Sequence, residues 1–463
     1  MISVRTVRSA PVYTPPKPKE TEPHAPVAKQ GAPTPEASAK KPEPKQKPGH
    51  GTDSSFDRTT ASTLFTDPNL IPKMYENEPK TKEEALRRAD EVLNPRGFTQ
   101  RGDDWVVQHD GEDPTSIDNT ESHVAASHVK DNLKLEREEL KKLSESDRKK
   151  YLEVRRSINE DPQRSTGLLA LQKMLFQGKL PGGKDFKGEG TTLDHLADAA
   201  SGKNLAEGVS RSEFTNTLVR ELATPSSINQ GGRGTCAPTA LMIDVAENNP
   251  AEYARISTGL ASKEGKVELA DGKTTLVREK ETSFQDDGTG RSLNQRIIIP
   301  ALMEIANGNK DYTDDTGEGA GASARTLDRL NDAIHGKNMG YVDIKDSKQQ
   351  KAAMDVIDAE LKSGNNVLVG MIFAEPGEEH ARHKVLVTGT SAVDQKEGMK
   401  EYIHFINPWG TEERMLREEF MARLRNMNEG TSPDESTGQD RLELLSMRTA
   451  STKQTPPSLA SLF

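Results

Sequence analysis

Apolar positions are spread unevenly along this chain, and their spacing divides it into five stretches. Residues 1–60 hold almost no large apolar side chains; runs such as PPKPKETEPHAP predict a disordered or polyproline-like, locally basic tail. Residues 61–125 read as an arm or linker. Within it, KTKEEALRRADEVL (80–93) places Ala85, Leu86, Ala89, Val92 and Leu93 on one helical face, Asn94-Pro95 stops the helix, and DDWVVQH suggests a short strand. Residues 126–222 predict a helical module. Its first part is highly charged, with Leu133, Leu140, Leu143 and Tyr151 interspersed, and TGLLALQKMLFQGKL (166–180) is the strongest core helix.

Residues 223–425 carry the clearest local order. Helices are expected at 237–247, 294–307, 324–335 and 350–364. NNVLVGMIF, HKVLVTGT and YIHFIN then follow as apolar, β-branched strands separated by turn residues. Helices first and neighbouring strands last give an α+β class with an antiparallel sheet at the C-terminal end. From 426 to 463 the chain turns polar again and is expected to be a tail.

Composition supports this division. Only 32% of the 463 residues are hydrophobic and 4% aromatic, too few for a chain packed throughout. The formal charge of -10 offers no attraction for nucleic acid. No apolar run is long enough to span a membrane, and the first residues lack the apolar region of a Sec signal peptide. The expected location is therefore cytoplasmic, or outside the cell by a route without such a signal. No cofactor or metal signature stands out: GEGAGAS (317–323) does not sit in a βαβ unit, and DYTDDTGEG lacks calcium-loop spacing.

The single cysteine, Cys236, excludes an intramolecular disulfide. It lies in INQGGRGTCAPTALMIDV, after glycines that include Gly234 and before a helix signal with Pro238 near its first turn. A thiol at a helix N-terminus is favoured as thiolate, and the upstream Gln230 can donate to a developing oxyanion beside the Cys236 N–H. The alternative is a small buried hydrophobe, although a Gly-rich loop offers such filler few packing partners.

A base must come from elsewhere. Most of the ten histidines lie in polar or charged context. His383 opens the strand HKVLVTGT and has rigid support; His380 lies in the loop before it, and His404 reads as a satisfied sheet residue. After the third strand, Asn407 can accept Nδ1–H of His383 and set its tautomer while Trp409 shields that bond. Taken alone, Asn-Pro-Trp-Gly reads as a turn; the ordered Cys236 and His383 favour the functional reading.

Over roughly residues 223–420 these motifs resemble the papain-like cysteine peptidases, of a divergent bacterial type. They are Gln230-Gly231, Gly234 and Cys236; His383, Val385, Leu386 and Gly389; and Asn407, Trp409 and Gly410. The resemblance implies a papain-like fold, with a helical subdomain led by the nucleophile helix and a C-terminal antiparallel sheet. It implies Cys236 as nucleophile, His383 as base and then acid, Asn407 as its orienting partner and Gln230 at the oxyanion hole. It also implies a protein or peptide substrate. Arg233, Thr235 and Ala237 depart from the family's signature around the cysteine. Deamidation, transamidation or another acyl transfer on the same residues is the first alternative, and a non-catalytic binding protein on a decayed fold the second. The module at 126–222 is placed where a pro-segment would cover the cleft.

Overall fold

The computed structural model describes residues 78–94, the backbone of 98–101, 104–107 and 114–121, and residues 122–428 apart from 281, 309, 315–316, 318, 374–381 and 396–397. These belong to one unit, Ser62–Phe463. The expected tail at 1–60 and His380 lie outside the described residues.

The helices are α1 Lys82–Leu93, α2 Pro114–Asp131, α3 Leu133–Leu140, α4 Glu145–Asn159, α5 Arg164–Phe176, α6 Thr192–Ser201, α7 Arg211–Ala223, α8 Cys236–Asn248, α9 Pro250–Ala261, α10 Leu293–Ala306, α11 Ala324–His335, α12 Ser347–Lys362 and α13 Arg417–Arg423. The strands are β1 Phe98–Arg101, β2 Asp104–Val107, β3 Lys266–Glu268, β4 Thr275–Val277, β5 Tyr341–Asp343, β6 Val367–Ile372, β7 Arg382–Gln395, β8 Gly398–Asn407, β9 Thr411–Leu416 and β10 Leu424–Asn428. The chain is thus mixed α+β.

Local chemistry explains the helix boundaries. Ser292 and Thr191 start α10 and α6 with full capping boxes, and Ser323 and Asp346 cap α11 and α12. The apolar stripe expected on α1 buries Ala85, Ala89 and Val92. Helix α5 is buried on every side from Gly167 to Phe176, as an apolar helix at a core's centre must be.

The six-stranded sheet runs β5-β10-β6-β7-β8-β9, and every neighbouring pair is antiparallel. Side chains alternate across it. Leu368, Leu386 and Ile406 join the core of the helical half. Val369, Val385, Val387 and Phe405 pack on the other face in a second core with Ile357 of α12 and Phe420 of α13. Burial on both faces accounts for the unbroken apolar runs of β6 and β7.

Two expected boundaries do not hold. The stretch 126–222 is not a separate module, because its apolar faces share one core with α8, α9 and α10. Helix α6 packs on α9, and α7 packs on α8 and α10. Buried Glu221 of α7 accepts from the Tyr253 hydroxyl at 2.8 Å, from Asn294 Nδ2 at 2.5 Å and from Ser292. The expected polar tail from 426 begins inside β10, which pairs with both β5 and β6 through Asn428. No helix among the described residues is long and apolar enough to cross a membrane.

Candidate active site

The loop before α8 is tied to the turn after β8. The Gln230 N–H donates to the Pro408 carbonyl at 2.7 Å, and Asn229 forms a β-bridge with Trp409. Gly231 adopts φ 62, and a Cβ there would lie 3.1–3.2 Å from Thr289 and Arg291, so the tight approach requires glycine. The carbonyl of Gly234 accepts from the Gly321 N–H at 3.1 Å, bringing the Gly-rich loop 317–323 against the start of α8. Cys236 is the first residue of α8 and is partly exposed. Unlike α6 or α10, this helix has no side-chain cap on its first N–H groups. No side-chain acceptor competes for those donors, and the Cys236 and Ala237 N–H groups act on the Cys236 sulfur.

His383 stands on β7 and lines, with Cys236, a cavity of about 170 Å³. Its Nε2 lies 2.8 Å from Asn407 Oδ1. Asn407 in turn donates from Nδ2 to Glu413 Oε1 at 2.8 Å, and the Thr411 hydroxyl donates to the same oxygen at 2.9 Å. The Glu413 carboxylate can only accept, so the Asn407 amide must turn its NH₂ toward Glu413 and its oxygen toward His383. An oxygen there requires the proton on Nε2 and leaves Nδ1 as the basic nitrogen. The expectation had placed this bond at Nδ1; sequence carries no information about which ring nitrogen faces which partner. Trp409 lies along the imidazole, with ring centroids 4.9 Å apart, and Phe373 flanks it at 5.2 Å. Trp409 is 45% exposed and forms the outer cover of the His383–Asn407 bond.

The structure thus brings Cys236 and His383 to one cavity, with Asn407 and Trp409 behind the histidine and Gly234 at the rim of α8. No hydrogen bond joins the Cys236 sulfur to the His383 ring. Such contacts are often long in an empty site and tighten with substrate. Gln230 is buried, and its Nε2 donates to the Arg233 carbonyl at 2.6 Å, which leaves one N–H of the amide unspent.

Burial pushes the Cys236 thiol above its ordinary value, against the opposing pull of the Lys384 N–H, the first helical N–H groups and the Lys384 charge. The expected thiolate preference from the helix terminus is outweighed by desolvation. Burial also lowers the pKa of His383, with the Asn407 bond opposing it. Burial thus favours the neutral form of both the thiol and the imidazole. Sequence reading missed Lys384, which is buried and held down to about 7 by its desolvation. It also missed Glu413, and it passed over the loop 317–323, whose last residues Ala322 and Ser323 line the cavity.

None of the residues lining this cavity comes from 126–222, so the expected covering segment is not at the cleft. His404 is satisfied within the sheet by Ser391 at 2.7 Å, and His195 pairs with Asp185 at 2.8 Å. Among the described residues no group of three His, Cys, Asp or Glu side chains is placed to hold a metal. Comparisons with protein-family models, curated proteins and solved structures find no match.

Proposed function

We propose that this chain is a cysteine hydrolase of papain-like type that cleaves peptide bonds through Cys236, His383 and Asn407. The observation that carries the reading is the Asn407 amide. Held by Glu413, it accepts from Nε2 of a histidine that shares one cavity with the only thiol in the chain. A merely structural asparagine needs neither that orientation nor that neighbour. The order of parts also supports it, with the thiol on the leading helix of the helical half and the base on the antiparallel sheet.

In this reading Nδ1 of His383 takes the Sγ proton as sulfur attacks the substrate carbonyl carbon. The backbone N–H of Cys236 and the unspent N–H of Gln230 receive the developing oxyanion. His383 then passes the proton to the departing amine, leaving a thioester on Cys236. Water, deprotonated by the same Nδ1, attacks the thioester; sulfur leaves and recovers its proton. Asn407 keeps the ring in one tautomer and stabilises the imidazolium that forms in each half-reaction.

Acid-quenched intact-mass spectrometry during turnover of a cleaved peptide or its ester tests this. The expected result is a protein population carrying the acyl fragment at Cys236, together with a cut substrate. A target that gains about one dalton and stays uncut would point to deamidation and overturn the peptide-bond part of the reading.

A further inference from the structure

The cavity that holds Cys236 and His383 is lined by three basic residues, Arg382 and Lys384 of β7 and Arg425 of β10. None of them forms an ion pair with a carboxylate among the described residues. Elsewhere in this acidic chain, buried arginines are paired: Arg255 with Glu252 at 2.7 Å, and Arg291 with Asp287 at 2.5 Å and Asp314 at 2.6 Å.

Lys384 is the most enclosed of the three. It stands opposite Gly370 across the β6–β7 ladder. A Cβ on Gly370 would lie 2.3–2.6 Å from the Asn426 side chain, so the missing side chain is what lets Asn426 of β10 reach over β6. Lys384 Nζ donates to Asn426 Oδ1 at 3.1 Å and to Asn428 Oδ1 at 2.8 Å. An ammonium carries three N–H donors, and these two partners are neutral amide oxygens. Asp328 accepts from Asn428 Nδ2 at 3.1 Å; it attracts Lys384 through space but forms no contact ion pair with it and does not line the cavity. Arg425 Nη1 is likewise spent only on the carbonyls of Ala422 and Leu424. Ala322, Ala324 and Leu327 add apolar lining, and the Ser323 hydroxyl between them is engaged in capping α11 by accepting from the Thr326 N–H. An ammonium buried with no carboxylate in contact is costly, and an incoming anion relieves that cost.

We propose that this cavity is a specificity pocket for a carboxylate side chain, so that the substrate carries aspartate or glutamate close to the bond attacked by Cys236. The aliphatic stem lies along Leu327 and Ala324, and the carboxylate meets Lys384, with Arg425 and Asn426 beside it. The proposal rests on Cys236 acting on peptides. An incoming carboxylate also favours the charged form of Lys384, which burial otherwise disfavours.

Peptidyl chloromethyl ketones test it, because they alkylate ordinary thiols slowly and bound ones fast. Matched probes carry Glu, Gln or Leu at either of the two residues preceding the ketone, and intact mass reads the labelling of the only cysteine in the full chain. At one of these positions Glu is expected to label Cys236 about tenfold faster than Gln or more, the size of a charge-assisted hydrogen bond. Lys384→Met should bring that ratio close to one, and Arg425→Gln should lower it. Fast labelling at equal rates for Glu and Gln at both positions would overturn the pocket and leave the nucleophile standing. Equal labelling of all probes at the rate of a free peptide thiol would overturn both.

Discussion

Replacing His383 by alanine is expected to lower peptide hydrolysis by about 10²–10⁴-fold, chiefly in kcat, with little change in thermal stability. The reason lies in the resting state. Burial favours the protonated Cys236 thiol, so in the proposed mechanism attack requires a base at the moment of reaction, and Nδ1 is the nitrogen left free for it. Because burial also lowers the pKa of His383, the neutral base persists below the ordinary histidine range. Activity should therefore fall only as pH drops through that lowered value, giving an acid limb below about 6.5. Glu413→Gln probes the same relay from behind. Its amide can donate as well as accept, so the Asn407 amide is free to flip and the wrong His383 tautomer is populated. A fall in kcat on the order of tenfold or more is expected, with KM nearly unchanged and Glu413→Asp partly active. Steady-state kinetics across pH check both variants. An unchanged kcat in His383→Ala would remove the histidine from the account.

Deleting residues 1–222 is expected to destroy the fold and not to release activity. A detachable covering segment would leave a stable remainder; here the segment supplies part of the core. Phe214, Leu218 and Leu222 are fully buried in the cluster that also holds Leu241, Ile297 and Leu302. Each such side chain contributes roughly 1.5–3 kcal/mol by its burial, and a typical domain has only about 5–15 kcal/mol in total. The deletion also leaves Tyr253 and Asn294 without their Glu221 partner. Circular dichroism and the soluble yield of residues 223–463 check this. A soluble fragment with a cooperative melt and raised activity would show that the helices are a removable cover after all.

What sequence made legible was local. The thiol at a helix start, the histidine opening an apolar strand and the asparagine in the turn after the next strand are each written in a few consecutive residues. The helices α8, α10, α11 and α12 and the strands β6, β7 and β8 follow from spacing in the same way. What stayed hidden depends on pairing between distant segments. Strand β9, TEERML, is a charged edge strand, and charge on an edge masks the strand pattern. Glu413 faces Asn407 only because β9 returns directly alongside β8 in the register Asn407↔Thr411. Strand β10 reads as polar chain, yet it inserts between β5 and β6 and carries Asn426 and Asn428 to Lys384. The merging of 126–222 into the main core was obscured by charge. Tyr151, Val154 and Ile158 form a buried stripe on α4, but the lysines, arginines and glutamates between them dominate the reading.

The most direct test of the central claim is the peptidase activity of the full chain carrying Cys236→Ala, beside wild type, on a peptide that wild type cleaves. In the proposed mechanism Cys236 supplies the bond-forming atom, so turnover should fall by about 10³-fold or more, with the melting profile preserved. Hydrolysis retained near the wild-type rate in a folded Cys236→Ala protein would contradict the account.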